Sequence, residues 1–293
     1  MKTLSELNAV AGASDFRPEV LEKVHHLLGI LSRLEENELS HGQWVLKGGT
    51  AINLFHLDVP RLSVDIDLNF VGVEDLHALD EARRIFERAL QASCAREGCS
   101  VRRAPIEHAG GKFRLRYASL LGGEQNLEVD VSYVARVPLF GIERRACSLV
   151  QLASDSAVPL LTLSELAAGK FVALVTRGAA RDFFDASSLI ELNPGMLTST
   201  EFRVAFVVQI AASRTDLRNV NAPRALRPNE LDSQLLPLLR VRSHQLPVSA
   251  SELAERLDAC VRPAVQELVG WSDGERCFLD RLIDEGEIEP EHL

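Results

Sequence analysis

The sequence predicts an α+β protein: a small mixed sheet with flanking helices, followed by a helical domain. Two segments, residues 63–70 and 126–134, alternate apolar and polar side chains strictly, the pattern of half-buried strands. After about residue 155 the strand signals stop and helical spacing takes over, so the expected domains are 1–155 and 156–293. At 293 residues, 46% of them hydrophobic and 25% charged, the chain can build two ordinary cores without disulfide or metal staples.

Along residues 16–40, Val20, Val24, Leu27, Leu28, Leu31 and Leu34 fall on one helical stripe. The run Trp44-Val45-Leu46 reads as a short strand ending at Lys47-Gly48-Gly49-Thr50, where two glycines admit a tight turn. Thr50 is the expected N-cap of a helix through Ala51, Leu54 and Phe55, before Pro60 breaks the chain. From 63 to 70, Val64, Ile66, Leu68 and Phe70 share one face, and Ser63, Asp65, Asp67 and Asn69 the other. An amphipathic helix is expected over 74–97, from Leu76, Leu79, Ile85, Phe86 and Leu90. Strands follow at 111–120 and 126–134 around Gly122-Gly123, with Glu128, Asp130 and Ser132 on the polar side of the second. Helices are then predicted over 162–175, from 181 to 189 beyond a break at Gly178, and over 198–212, 229–240 and 249–285. A Pro/Asn/Arg-rich loop spans 219–229.

The net charge of −10 argues against indiscriminate nucleic-acid binding. Basic residues nevertheless cluster. Arg102, Arg103, Lys112, Arg114 and Arg116 share a segment with Glu107 as its one acid, and Arg203, Arg214, Arg218, Arg224, Arg227, Arg240 and Arg242 form a second group. Such clusters either bind phosphates locally or belong to a solvated surface of ordinary ion pairs. The five cysteines form no CxxC pair, and no two histidines have metal-ligand spacing, which fits reduced thiols in a cytosolic protein. Residues 1–6 hold no apolar core of signal-peptide length and no stretch suits a membrane span, so the expected location is the cytoplasm, with no membrane partner.

Asp65 and Asp67, two apart on a strand, stand on one face with Cα atoms roughly 7 Å apart. Like charges held this close call for a cation between them, and an all-oxygen site suits Mg²⁺ completed by water and substrate phosphates. Alone, Asp-x-Asp is weak evidence, because exposed strand faces often carry acids. Asp130 on a second polar strand face strengthens it, since three carboxylates from two strands are what two-metal phosphoryl transfer requires. The Gly48-Gly49-Thr50 turn opens a helix, so its free N–H groups favour a phosphate, and Lys47 or Thr50 can add a donor.

Together these residues resemble the nucleotidyltransferase AbiEii/AbiGii toxin family, within the DNA polymerase beta-type nucleotidyltransferase superfamily. The matching stretches are Leu46-Lys47-Gly48-Gly49-Thr50-Ala51-Ile52-Asn53-Leu54-Phe55 and Arg61-Leu62-Ser63-Val64-Asp65-Ile66-Asp67-Leu68. A later block, a Lys and an Arg followed by Arg-Asp-x-x-Asp, matches Lys170, Arg177, Arg181, Asp182 and Asp185. Ile52 stands where the family more often has Leu, and the neighbourhood of Asp130 is not distinctive. The resemblance covers residues 44 to about 190.

It implies a polymerase beta-type domain with Asp65, Asp67 and Asp130 as catalytic metal ligands for Mg²⁺ or Mn²⁺, and with Lys170 also catalytic. Lys47, Gly48, Gly49, Thr50, Ser63, Lys170, Arg177, Arg181, Asp182 and Asp185 would bind the NTP. On one continuous helix Lys170, Arg177 and Arg181 would fall within about 40° of one another, a cationic stripe suited to triphosphate, with Asp182 and Asp185 orienting it. Helix-surface ion pairs would produce the same composition. The implied activity is transfer of a nucleotide from an NTP with release of pyrophosphate, by a toxin that has a separately encoded antitoxin, in a toxin–antitoxin or phage-defence system. The tRNA 3′ end is the implied acceptor. A small-molecule or protein hydroxyl is the alternative, favoured by the acidic net charge; an inactive binding protein of the same fold is a third reading.

Overall fold

The computed structural model describes residues 1, 3–103, 110–149, 151–152, 157–213, 216–220, 222–241 and 249–293. The chain forms two compact units, Met1–Thr162 with Leu238–Ser243, and Leu163–Pro237 with His244–Leu293.

The first unit opens with α1 (Leu4–Ser14), whose start is fixed by the Thr3 hydroxyl accepting the Glu6 N–H and whose end is the left-handed Asp15. Pro18, harmless in a first turn, begins α2 (Pro18–Glu36), and the whole expected stripe from Val20 to Leu34 is buried. Next come β1 (Trp44–Lys47), the short α3 (Gly48–Ala51) continuing as a π-helical turn (Ile52–His56), and β2 (Asp65–Phe70). Helix α4 (Leu76–Arg96) buries Phe86, Ala89 and Leu90 and leaves Leu76 exposed. Phe86 meets Phe70 of β2 at a ring separation of 5.3 Å, so α4 covers the apolar side of that strand. Five further strands complete the unit: β3 (Ser100–Arg103), β4 (Gly110–Ala118), β5 (Glu124–Ser132), β6 (Ile142–Arg145) and β7 (Val158–Leu161).

The seven strands form one mixed sheet in the order β3-β4-β5-β2-β1-β7-β6, with β2/β5 and β1/β7 parallel. One face is apolar throughout its centre, where Ile66, Leu68, Phe70, Phe113, Leu115, Val129 and Val131 are all buried. Buried Glu22 of α2 ties down the β4–β5 turn, accepting from Ser119 Oγ and Leu120 N, both at 2.6 Å. The expectation that strand structure ends near residue 155 is corrected by β7. Its four residues are all buried beside β1, and a four-residue apolar run containing Pro159 has too little periodicity to identify it. Strands β3 and β6, and helix α1, were likewise not foreseen.

The second unit is helical: α5 (Leu163–Thr176), α6 (Ala180–Leu192), α7 (Thr200–Ala211), α8 (Pro228–Gln234), α9 (Ala250–Leu268) and α10 (Asp273–Asp280). Gly178, at φ +55°, ends the run of α5 and permits the turn into α6. The single helix expected over 249–285 is divided at residues 269–272. A chain of aromatic contacts, Phe171 to Phe202 to Phe206 to Trp271, with ring separations of 5.7, 5.9 and 5.8 Å, links α5, α7 and the α9–α10 junction.

Candidate active site

The polar face of the sheet in the first unit brings the predicted acids together through strand register. Asp67 is the direct partner of Asp130 across β2/β5, and Asp65 that of Glu128. On the outer sides, Lys47 of β1 is the partner of Asp67, and Lys112 of β4 is the partner of Asp130. Four neighbouring strands therefore carry Lys47, Asp67, Asp130 and Lys112 in a single row, one strand spacing of about 4.8 Å apart. Burial pushes the Lys47 ammonium below its usual pKa, against the opposing pull of Asp67 and Asp130. Lys112 goes the other way: its hydrogen bond to Glu128 raises it, burial opposes this slightly, and Glu128, Asp130 and Asp65 add charge attraction.

The glycine turn is built against this row. Lys47 is the N-cap of α3, with extended backbone and no side-chain cap, and the helix starts at Gly48. This corrects the expected start at Thr50. Thr50 lies inside the helix, and its buried hydroxyl donates to the Asp65 carbonyl at 2.5 Å, pinning β2 to the turn. Asn53 Nδ2 donates to the Gly49 carbonyl at 2.9 Å. Gly48 has φ +73°, and a Cβ there would lie 2.4 Å from Asp67 Oδ2. Gly48→Ala is therefore expected to lower nucleotide transfer at least tenfold, through about 1–2 kcal/mol of backbone strain and displacement of the Asp67 carboxylate. A matched pair of thermal melts and transfer assays checks this; unchanged transfer would show that Asp67 has room to shift.

Ser63 and Arg61 are buried just ahead of β2, where Arg61 Nη1 donates to the Leu62 carbonyl at 2.8 Å. Asn69, two residues beyond Asp67 on the same face, is buried, and its Oδ1 has no hydrogen-bond partner among the described residues. Nothing in the sequence marks that atom beyond its place in the alternation.

In the second unit, the later motif block forms a compact ionic cluster. Lys170 Nζ lies 3.1 Å from Asp182 Oδ1 and 2.8 Å from Asp185 Oδ2, with both carboxylates fully buried. Arg177 Nε donates to Asp182 Oδ2 at 2.7 Å, and the Ala179 N–H to the same oxygen at 3.2 Å. Burial alone would raise the Asp182 pKa, yet the hydrogen bond from Arg177 and the charges of Lys170 and Arg177 hold it below the ordinary carboxylate range. The helix breaks at Gly178 as the sequence predicts, so the single stripe that a continuous helix would give is not formed: α5 ends at Thr176, Lys170 and Arg177 meet Asp182 across a turn, and Arg181 lies on α6.

With this geometry in place, comparison with known proteins becomes specific. The family model described as nucleotidyl transferase AbiEii toxin, type IV toxin–antitoxin system, matches residues 29–268, which include both motif blocks. The chain belongs to the AbiEii toxin family. It is thus a nucleotidyltransferase of the type IV toxin–antitoxin class, with an NTP substrate and an antitoxin partner implied by that class. Among solved structures, MenT4, a nucleotidyltransferase toxin from Mycobacterium tuberculosis H37Rv, is similar with a TM-score of 0.61 and 18% identity, covering 95% of this chain and 96% of MenT4. At that identity the likeness speaks for the fold, which it shows to be the mixed α+β nucleotidyltransferase architecture. No curated protein sequence matches the chain.

Among the described residues, no three His, Cys, Asp or Glu side chains of this AbiEii-family chain form a preformed metal cage. Mg²⁺ needs none, because it is usually held by one or two carboxylates plus water and substrate phosphates. Asp67 and Asp130 in register, with Asp65 alongside, offer an all-oxygen donor set of that kind. The basic clusters look different in three dimensions. Lys112 and Arg114 lie 3.0 and 3.3 Å from Glu128, and Arg116 lies 2.7 Å from Glu124, acids supplied by β5 rather than by nearby sequence. Arg203 is bound to Glu275, Arg224 to Glu230, and Arg218 to Asp216, Asp280 and Asp284. Arg240 packs over the Phe16 ring. Ion pairs thus engage Lys112, Arg114 and Arg116 of the first cluster and Arg203, Arg218 and Arg224 of the second; Glu107, Arg214 and Arg242 lie outside the described residues. No helix among the described residues is long and apolar enough to cross a membrane.

Proposed function

We propose that the chain transfers a nucleotide from an NTP to the 3′ hydroxyl of tRNA, using divalent metal held by Asp65, Asp67 and Asp130. The acceptor oxygen forms a bond to the α-phosphorus while the bond to pyrophosphate breaks, and the hydroxyl proton leaves with solvent or a basic oxygen nearby. The observation that carries this reading is the register of Asp67 with Asp130 beside the Gly48 turn. The bound cations would neutralise charge on the attacking and leaving oxygens. The chain's own residues do the rest. Gly48 leaves the space in which Asp67 stands, Thr50 fixes β2, and Lys47 offsets the carboxylate charge. The N–H groups at the start of the Gly48–Gly49 turn are assigned to the incoming phosphate, as at other helix starts. The family resemblance assigns nucleotide-binding roles to Ser63 in the first unit, and to Lys170, Arg177, Arg181, Asp182 and Asp185 in the second.

The family resemblance stated from the sequence is what suggests tRNA as the acceptor. The ion pairs that engage several members of each basic cluster, with the net charge of −10, favour a second reading in which a small-molecule or protein hydroxyl is modified. Incubation with each α-³²P-labelled NTP, Mg²⁺ and total tRNA separates the two. Label is expected at the tRNA 3′ end; label on protein or small molecules alone, with bare tRNA, would move the assignment to the second reading.

A further inference from the structure

The acidic row is bracketed by cations, and the two differ in kind. Lys47 is half-buried beside Asp67, on the strand that leads into the glycine turn. Lys112 is the cross-strand partner of Asp130 but is 55% exposed, on a flexible four-carbon stem. Its ammonium sits 3.0 Å from Glu128, one pleat along β5 from Asp130 and level with Asp65. Glu128 does not depend on it, since Arg114 lies 3.3 Å from the other Glu128 oxygen. Across the strand from Asp130, Lys112 adds a positive charge that Asp130 attracts at longer range than Glu128 does.

We infer that Lys112 is a positioning residue of the transfer site, a resident cation that steadies Asp130 and competes with the divalent ion for the carboxylate row. Two carboxylates one strand spacing apart repel, and a lysine on each flank relieves this in the free protein. A divalent ion entering between Asp67 and Asp130 supplies the same charge more closely, and then Lys112 opposes it. Lys47 is half-buried on β1 beside Asp67, whereas Lys112 is exposed and can swing into solvent or toward a bound phosphate. The affinity for metal is thereby held down in the free protein, so that metal arrives together with the nucleotide. This inference rests on the proposed reading of Asp67 and Asp130 as metal ligands.

Direct titration of Mn²⁺ into full-length protein without nucleotide, followed by electron paramagnetic resonance of the free ion, tests it. Lys112→Met and Lys112→Gln are expected to bind Mn²⁺ about threefold to tenfold more tightly than wild type, with the gap narrowing as salt rises. Lys112→Arg, which keeps the charge, is expected to match wild type. Thermal melts of all variants are expected to coincide within a few degrees, because Arg114 still holds Glu128. Unchanged or weaker Mn²⁺ binding in both neutral variants, with a raised KM for NTP instead, would overturn the inference and make Lys112 a phosphate contact. Asp67→Asn serves as the control: its loss of Mn²⁺ binding keeps the metal-site reading whatever Lys112 does. Binding equal to wild type in Asp67→Asn would overturn that reading and the inference with it.

Discussion

Asp67→Asn is expected to lower nucleotide transfer about 10³-fold, equivalent to some 4 kcal/mol of transition-state stabilisation, without unfolding the protein. The loss follows from its position: Asp67 joins both halves of the candidate site, being the register partner of Asp130 and the group against which Gly48 is packed. The retained stability follows from the same geometry. Asparagine keeps the shape and removes one of two like charges, so the repulsion with Asp130 falls while Lys47 still has Asp130 nearby. The melting temperature should hold or rise slightly. A variant that keeps more than about a tenth of wild-type transfer would move Asp67 out of the reaction. A variant that unfolds would mean that its charge is needed to keep Lys47 buried.

Lys170→Met should produce the largest loss of stability, about 3–5 kcal/mol, because it removes the cation shared by two fully buried carboxylates. Asp182 retains Arg177 and the Ala179 N–H, so the loss is measured against a cluster that keeps part of its neutralisation. Urea denaturation measures the cost, and a value below about 1 kcal/mol would show the cluster to be dispensable for folding. The cluster also has a pH signature. Asp182 titrates below the ordinary aspartate value of about 3.9, so its contribution is complete above that value and disappears as pH falls through the lowered pKa. Wild type should therefore lose stability below about pH 4, and Asp182→Asn should show a shallower acid limb.

Much of the site was legible in sequence because its two halves are local. Alternation from Ser63 to Phe70 put Asp65 and Asp67 on one face, and the paired glycines marked a turn before them. What joins Asp67 to Asp130, by contrast, is the parallel pairing of strands some sixty residues apart, which no local pattern encodes. The same limit hid Lys112: in sequence it belongs to a basic run, whereas the antiparallel β4/β5 ladder makes it the neighbour of Asp130 and gives its run the acids Glu124 and Glu128. The N-cap preference of Thr50 is overridden because Gly48, at positive φ, already starts the helix after Lys47. The break at Gly178 was legible from its glycine, and its left-handed turn is why spacing along one ideal helix does not describe Lys170 and Arg181. Short elements such as β7 escape because four buried apolar residues carry no period.

The most direct test of the assembled acidic site lies with Asp130, whose place depends entirely on that strand pairing. Pyrophosphate release from each NTP should be measured across an Mg²⁺ titration for wild type, Asp130→Asn and Asp67→Asn, with tRNA present. Metal-dependent release that falls by a similar factor in both variants is the expected result. An Asp130→Asn protein releasing pyrophosphate at the wild-type rate, beside an inactive Asp67→Asn, would contradict the three-carboxylate site.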